Sequence, residues 1–419
     1  MRDSKRIEKF PAGDVRIPPS KSLAHRAVIC AWLASRSAQR ESMLSNLHDS
    51  DDIAATLAGV RALGANWIRQ NGVVRMLPAQ QTEDSVIDCN ESGSTLRFLL
   101  PLAALEEKER IFTGRGRLME RPLDIYADLF AEAGVLFVRE GDRIRLKGPL
   151  KSGVYILPGD VSSQFVSGLL FALPMLAGDS EIRLTTELES RAYVDMTVDM
   201  MRRFGVSAEM PDAYTYRIAG GQRYRPAEYT VEADYSQAAF FLAAAALGRP
   251  VVCRGLSRES LQGDRAILEI LAEMGANLQW RTDGSLAVSA ERLRAVTVDA
   301  RAIPDLMPPV AVLCSYCEGE SRIVNAGRLR IKESDRLAAL AKELTALGVR
   351  LEETVDSLTI QGAESLPGGA VDAHGDHRIA MAMAVAAIGC TGEVRLTGAE
   401  SVRKSYPNFW KDFEKEARA

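Results

Sequence analysis

The sequence predicts an α/β (α+β) fold in which one strand and helix pattern recurs six times, with the copies divided between two domains. Three features lead to it. An apolar-periodic stretch closing in Gly and then Val or Ala occurs five times, at Gly64, Gly134, Gly205, Gly275 and Gly348, at intervals of 70, 71, 70 and 73 residues. One more interval reaches the end of the 419-residue chain, so six units of about 70 residues fill it. A small polar cluster directly ahead of a strongly apolar stretch begins at Ser20, Ser92, Ser162, Tyr235, Asp305 and Asp376, again at intervals of 70 to 73. The length suits two or three domains of roughly 150 residues, and a single core for all six units would be unusually large, which splits them three and three.

Each unit reads in order as a strand, a helix led by the polar cluster, a strand, a second helix ending in glycine, and further strand. Glycine belongs at that end because helices commonly close on a left-handed residue, which Gly adopts without steric cost. The first helix is apolar nearly all round, as in Phe165 to Leu176 and Ala238 to Leu247, and so predicts burial. The second is amphipathic: from Asp264 to Met274, Ile267, Leu268, Ile270 and Leu271 alternate with Asp264, Arg265, Glu269 and Glu273. Val154 to Leu157 and Glu181 to Leu184 have the composition of strands. Such a division places helices inside and sheets around them.

Hydrophobic residues are 47% of the chain and charged residues 26%, which excludes disordered and fibrous classes. The net charge of −4 argues against nucleic acid or an anionic membrane as partner, leaving room for a local basic site. The polar start Met1-Arg2-Asp3-Ser4-Lys5-Arg6 lacks the apolar core of a secretory signal, so a cytoplasmic location is expected. The longest apolar stretches, near Phe240 to Leu247 and Ile379 to Ile388, are too short to cross a bilayer and read as core helices. Six thinly spread cysteines suit reduced, buried thiols, and Cys314-x-x-Cys317, set in an apolar run without a second pair, reads as core packing. The four histidines have no metal-like partner set, and Walker, Gly-x-Ser-x-Gly and zincin motifs are absent.

The chemistry concentrates at the starts of the apolar helices. Helix N-termini carry free N–H groups and about half a positive charge, so several of them together attract anions. Their side chains fit that role: Ser20-Lys21-Ser22 with Arg26, Ser92-Gly93-Ser94-Thr95 with Arg97, Ser162-Ser163-Gln164, and Asp376-His377-Arg378. Taken singly, the Ser and Asp residues read as ordinary N-caps. Caps do not account for Lys21, Arg26 and Arg378, whose desolvation is costly without an anionic partner. Gly114 to Pro122 adds an Arg-rich turn without the third glycine of a dinucleotide fingerprint. Lys332-Glu333-Ser334-Asp335-Arg336 and Arg403-Lys404 add further charge.

With these clusters in hand, the chain resembles the enolpyruvyl transferases along essentially its whole length. The residues that carry the resemblance are Pro19-Ser20-Lys21-Ser22 with Arg26, Gly93 with Arg97, Glu120-Arg121-Pro122, Ser162-Ser163-Gln164-Phe165, Ile303-Pro304-Asp305, Lys332 to Arg336, Asp376-His377-Arg378, and Lys404 ahead of Tyr406-Pro407. The resemblance implies a two-domain inside-out α/β barrel of six βαβαββ repeats with parallel inner helices. Its domains would span 19–232 and 1–18 plus 233–419, with the active site in the cleft between them. Within the family it points to the branch whose acceptor is shikimate 3-phosphate, and so to transfer of the enolpyruvyl group of phosphoenolpyruvate onto that acceptor. Shikimate 3-phosphate would be held by Lys21, Ser22, Arg26, Ser162, Ser163, Gln164, Ser190, Tyr193, Asp305 and Lys332. Phosphoenolpyruvate would be held by Lys21, Gly93, Arg121, Gln164, Arg336, Arg378 and Lys404. Asp305 and Glu333 match the positions of base and acid, with Lys21 assisting. A Glu acid needs a raised pKa, so Glu333 is expected in the less solvated setting and Asp305 ionised. No metal or organic cofactor is implied, and a monomer is expected.

Two departures from the family pattern bear on the phosphoenolpyruvate site and on glyphosate, which occupies it. Glu91-Ser92-Gly93-Ser94 replaces a common Asn-Ala-Gly-Thr, and Arg328 replaces a common Asn. The sister branch acting on UDP-N-acetylglucosamine carries a Cys where this chain has Gly116. A 3′-terminal RNA phosphate cyclase would suit a basic face better than a pI of 5.8. A silent anion-binding protein would gain nothing from two site carboxylates.

Overall fold

The computed structural model describes residues 4–36 and 40–415. The chain divides into two compact units, a contiguous one, Pro19–Val231, and a composite one, Met1–Pro18 with Glu232–Ala419. Three repeats make up each. The contiguous unit holds α1 (Lys21–Ser35) and α2 (Asp51–Ala62), then α3 (Gly93–Ala103) and α4 (Asp124–Ala133), then α5 (Ser163–Ala172) and α6 (Arg191–Arg203). The composite unit holds α7 (Tyr235–Ala246) and α8 (Ile267–Glu273), α9 (Met307–Cys314) and α10 (Arg336–Ala346), and α11 (His377–Ala386) and α12 (Phe409–Phe413).

The odd-numbered helices are the buried ones. Every residue of α7, α9 and α11 is buried, because these segments carry apolar side chains on all faces. Each unit has one hydrophobic core built around these helices. Phe98, Phe171, Tyr126 and Phe165 interlock in the contiguous unit. Phe241, Tyr406 and Phe409 do so in the composite one, where Cys314 and Cys317 are also buried. No helix among the described residues is long and apolar enough to cross a membrane.

Sheets follow one plan. Val86–Asp88 pairs in parallel with Arg110–Thr113, with Val86 opposite Ile111; Arg143–Lys147 follows antiparallel, and Leu136–Glu140 closes the edge. The parallel pair is joined through α3 and the antiparallel pair by a tight turn, as strand connectivity requires. Two sheets borrow their first strand from a distant part of the chain. Glu228–Thr230 lies parallel to Ser42–Ser45, and Gly13–Arg16 lies parallel to Val251–Arg254. The sixth sheet has three strands, with Ser4–Ile7 antiparallel to Val394–Thr397.

Both repeat markers have a structural cause. The five repeat glycines all have positive φ, from +72° to +102°, directly after a helix. Ser20, Ser92 and Ser162 cap α1, α3 and α5 by accepting from backbone N–H groups, and Asp376 does the same for α11. The details depart from the sequence reading in four places. The α7 cap is Asp234 rather than Tyr235. Asp305 is no cap: it sits in a single 3-10 turn, Pro304–Leu306, ahead of α9. The Asp264 to Met274 stretch begins as a 3-10 turn and becomes α-helical only at Ile267. The Phe165 to Leu176 stretch leaves α-geometry after Ala172, where Pro174 cannot donate to the helix ladder.

Candidate active site

In the contiguous unit the predicted residues gather at the N-terminal ends of α1, α3, α5 and α6. Lys21 opens α1 and its Nζ lies 2.7 Å from Oδ2 of Asp52, in the first turn of α2. Arg26, one turn further, is buried and donates to Thr197 Oγ1 at 2.8 Å and to the carbonyls of Ser22 and Tyr193 at 2.7 Å each. These acceptors are all neutral, so burial lowers the Arg26 pKa to about 10. Ser22 and Tyr193 thus meet through Arg26. Ser190 is buried at φ +56°, immediately before α6.

Gly93 begins α3, and two guanidinium groups crowd it. A Cβ there would stand 2.5 Å from Nη1 of Arg121 and 2.9 Å from Nη1 of Arg97, so only glycine lets both cations approach the helix end. Gln164, at the start of α5, bridges across. It accepts from Arg97 Nη1 at 3.2 Å and donates to Ser94 Oγ at 2.9 Å. The Ser162 hydroxyl accepts from the Gln164 N–H, and Ser163 follows it into the helix. The Nε of Arg121 is buried and without a hydrogen-bond partner among the described residues. A cation left in that state beside a helix N-terminus is suited to an incoming anion. The Glu91 carboxylate lies under Gly116, where a Cβ would be 2.8 Å from Oε2.

In the composite unit the charges form one cluster. Arg336 is fully buried at the start of α10, and three carboxylates meet it: Asp305 at 2.9 Å, Glu333 at 2.7 Å and Asp376 at 2.7 Å. Arg378, in the first turn of α11, donates to the other Asp305 oxygen at 2.9 Å and to Ser236 Oγ at 3.0 Å. Lys332 Nζ lies 3.9 Å from Asp305. Lys404 donates to the Gly375 carbonyl at 2.6 Å.

Burial raises the Asp305 pKa, but Arg378, Lys332 and Arg336 more than offset it and hold this carboxyl well below the usual range. Asp305 is therefore ionised, as expected. The two carboxylates do not differ in solvation in the expected way: the Asp305 and Glu333 side chains are 21% and 19% exposed. Arg378, Lys332 and Arg336 act on Asp305, and Arg336 donates to Glu333 Oε2 at 2.7 Å.

Several working residues were absent from the predicted set. Asp52, Arg97, Ser236 and Asp376 each position a predicted side chain. Arg97 and Asp376 lie within the motifs already singled out and Ser236 within the polar cluster that begins at Tyr235, whereas Asp52 pairs with a residue 31 positions away and leaves no local pattern.

The family described as EPSP synthase (3-phosphoshikimate 1-carboxyvinyltransferase) matches residues 6–413. This chain belongs to the EPSP synthase family. The 3-phosphoshikimate 1-carboxyvinyltransferase of Clostridium acetobutylicum is 45% identical over 410 residues, covering 96% of this chain and 94% of that relative. That of Clostridium perfringens is 46% identical over 407 residues, covering 96% and 95%. The EPSP synthase structure from Acinetobacter baumannii superposes with a TM-score of 0.78 at 24% identity, covering 97% and 96%. The enolpyruvyl transferase NikO from Streptomyces tendae gives 0.78 at 20%, covering 98% and 96%, and these two likenesses establish the fold. The chain is an enzyme of the EPSP synthase family, with the fold of enolpyruvyl transferases.

Proposed function

We propose that this enzyme transfers the 1-carboxyvinyl group of phosphoenolpyruvate to the 5-hydroxyl of shikimate 3-phosphate, releasing phosphate, with the residue roles that follow. Asp305 takes the hydroxyl proton as that oxygen bonds to C2 of phosphoenolpyruvate, while Glu333 gives a proton to C3. The tetrahedral intermediate then loses a proton from C3 and phosphate from C2, which restores the double bond. The observation that carries this reading is the convergence of Asp305 and Glu333 on the single Arg336 guanidinium, at 2.9 and 2.7 Å. Arg378, Lys332 and Arg336 hold Asp305 ionised, which suits it to the role of base and leaves the role of acid to Glu333.

Arg121, Arg336, Arg378, Lys404, Lys21, Gln164 and the Gly93 N–H hold phosphoenolpyruvate. Lys21, Ser22, Arg26, Ser162, Ser163, Gln164, Ser190, Tyr193, Asp305 and Lys332 hold shikimate 3-phosphate. Both substrates carry a phosphate and a carboxylate, the anions that guanidinium groups and helix N-termini bind best. The reading calls for no cofactor, and for a monomer working in the cytoplasm.

Phosphate release from phosphoenolpyruvate tests it, with shikimate 3-phosphate or UDP-N-acetylglucosamine as acceptor. Release is expected only with shikimate 3-phosphate, and Glu333→Gln and Asp305→Asn should each lower kcat by about 10²–10⁴-fold. Release with the sugar nucleotide alone, or full activity in both variants, would overturn the assignment.

A further inference from the structure

A second set of groups lies behind the Arg336 cluster and takes no part in the chemistry above. The loop from Asp372 to Asp376 links a strand to α11. Two successive residues in it are left-handed, His374 at φ +52° and Gly375 at φ +63°, and for His374 that conformation is strained. The two ends of this loop serve the site. The Gly375 carbonyl accepts from Lys404, and Asp376 both caps α11 and binds Arg336.

One buried carboxylate grips the loop. Glu343, its side chain 3% exposed, lies on α10 seven residues beyond Arg336, two turns along the same face. Its Oε1 is 2.7 Å from His374 Nε2, and its Oε2 accepts from the Asp372 N–H at 2.9 Å. The preceding strand is seated on the same helix: a Cβ on Gly369 would stand 2.7 Å from the Ala346 carbonyl. α10 therefore meets this segment through Glu343 at its base and Arg336 at its tip. A buried carboxylate is costly to keep unless its hydrogen bonds are made, and here two of them fix the strained turn.

We infer that Glu343 and His374 are positioning residues that hold the 372–376 loop so that Asp376 stays on Arg336 and the Gly375 carbonyl on Lys404, and that they thereby set the affinity for phosphoenolpyruvate. This rests on the proposal that Arg336, Arg378 and Lys404 hold that substrate.

Steady-state kinetics in both substrates, with thermal melting alongside, tests it on the full chain. Glu343→Leu, which removes both contacts, should raise KM for phosphoenolpyruvate about tenfold while KM for shikimate 3-phosphate moves less than about twofold. Glu343→Gln, which keeps an acceptor for the Asp372 N–H and a polar partner for His374, should recover most of that loss. His374→Asn keeps the left-handed conformation but lacks the reach to Glu343, and should show the same selective rise. Its side chain is partly exposed, so it decides the matter if Glu343→Leu does not fold. Lys342→Ala, which removes an exposed neighbour 3.4 Å from Glu343, should leave both KM values unchanged. Equal rises in both KM values, or lower melting temperatures with KM unmoved, would overturn the inference. A wild-type enzyme inert with both substrates would instead overturn the reading beneath it.

Discussion

Lys332 and Arg336 lie four residues apart and face the same Asp305 carboxylate, yet their charges have different fates. Burial pushes Lys332 down to about 8, with Arg328 and Arg336 adding to the effect against the pull of Asp305. Burial acts on Arg336 as well, but Asp376, Glu333 and Asp305 outweigh it and raise its pKa, so it stays charged. A lowered lysine pKa means the proton is lost near pH 8 instead of above 10, and the cation proposed for shikimate 3-phosphate disappears on the alkaline side. The kcat/KM for shikimate 3-phosphate should therefore fall above pH 8, and Lys332→Arg, which remains charged, should flatten that limb of the pH profile. An alkaline limb unchanged in the variant would assign the titration to another group. Asp305, held well below the usual carboxylate range, contributes no acid limb near neutrality. Residues of this kind were legible in the sequence because charge inside a strongly apolar segment is conspicuous, as at Arg26 and Arg378. Their partners were not: Asp52, in the first turn of α2, and Glu343, on α10, lie in segments where a charge is unremarkable. Each is buried only because a group from another element reaches it.

A helix in this protein is defined by its ends more clearly than by its middle. The caps Ser20, Ser92, Ser162 and Asp376 are each worth about 1 kcal/mol as N-caps, and four of the six polar clusters are N-caps that also bring the site residues to helix starts. That coincidence let spacing point to the helix starts at which the charged side chains gather. Where it fails, at Asp305, the residue sits in a 3-10 turn before the helix, and spacing could not tell a cap from a turn. The closing glycines allow a graded test. Gly134 has φ +72° and open space where a Cβ would go, whereas at Gly348, φ +102°, a Cβ would stand 2.5 Å from Pro367 Cδ. Gly134→Ala should cost about 1–2 kcal/mol, the left-handed penalty alone. Gly348→Ala should cost about 1–3 kcal/mol more, since the proline ring must move. Chemical denaturation with a common m-value measures both, and equal losses would show that the turn at Pro367 yields freely.

The order of the chain imposes an asymmetry on the two units that six equal repeats would not suggest. Pro19–Val231 is continuous, and its first sheet takes Glu228–Thr230 from its own end. The composite unit takes two strands from the start of the chain: Gly13–Arg16 beside Val251–Arg254, and Ser4–Ile7 beside Val394–Thr397. The repeat count was visible in the sequence because helix ends recur locally. The exchange of strands has no local mark, since a four-residue strand pairs with residues some hundreds of positions away; only the family resemblance placed residues 1–18 with the second unit. Without residues 1–18 the composite unit would expose two sheet edges, and Val15 and Ile17 would be missing from its core. A fragment of residues 19–231 should therefore fold alone, with a cooperative melt and α/β circular dichroism. A fragment of residues 232–419 should be poorly ordered or aggregate, and a peptide of residues 1–18 added in trans should restore cooperative unfolding, because strand addition returns both the backbone pairing and the buried side chains. Cooperative folding of residues 232–419 without the peptide would mean that α7, α9 and α11 suffice as a core and that the N-terminal strands only cover its edges.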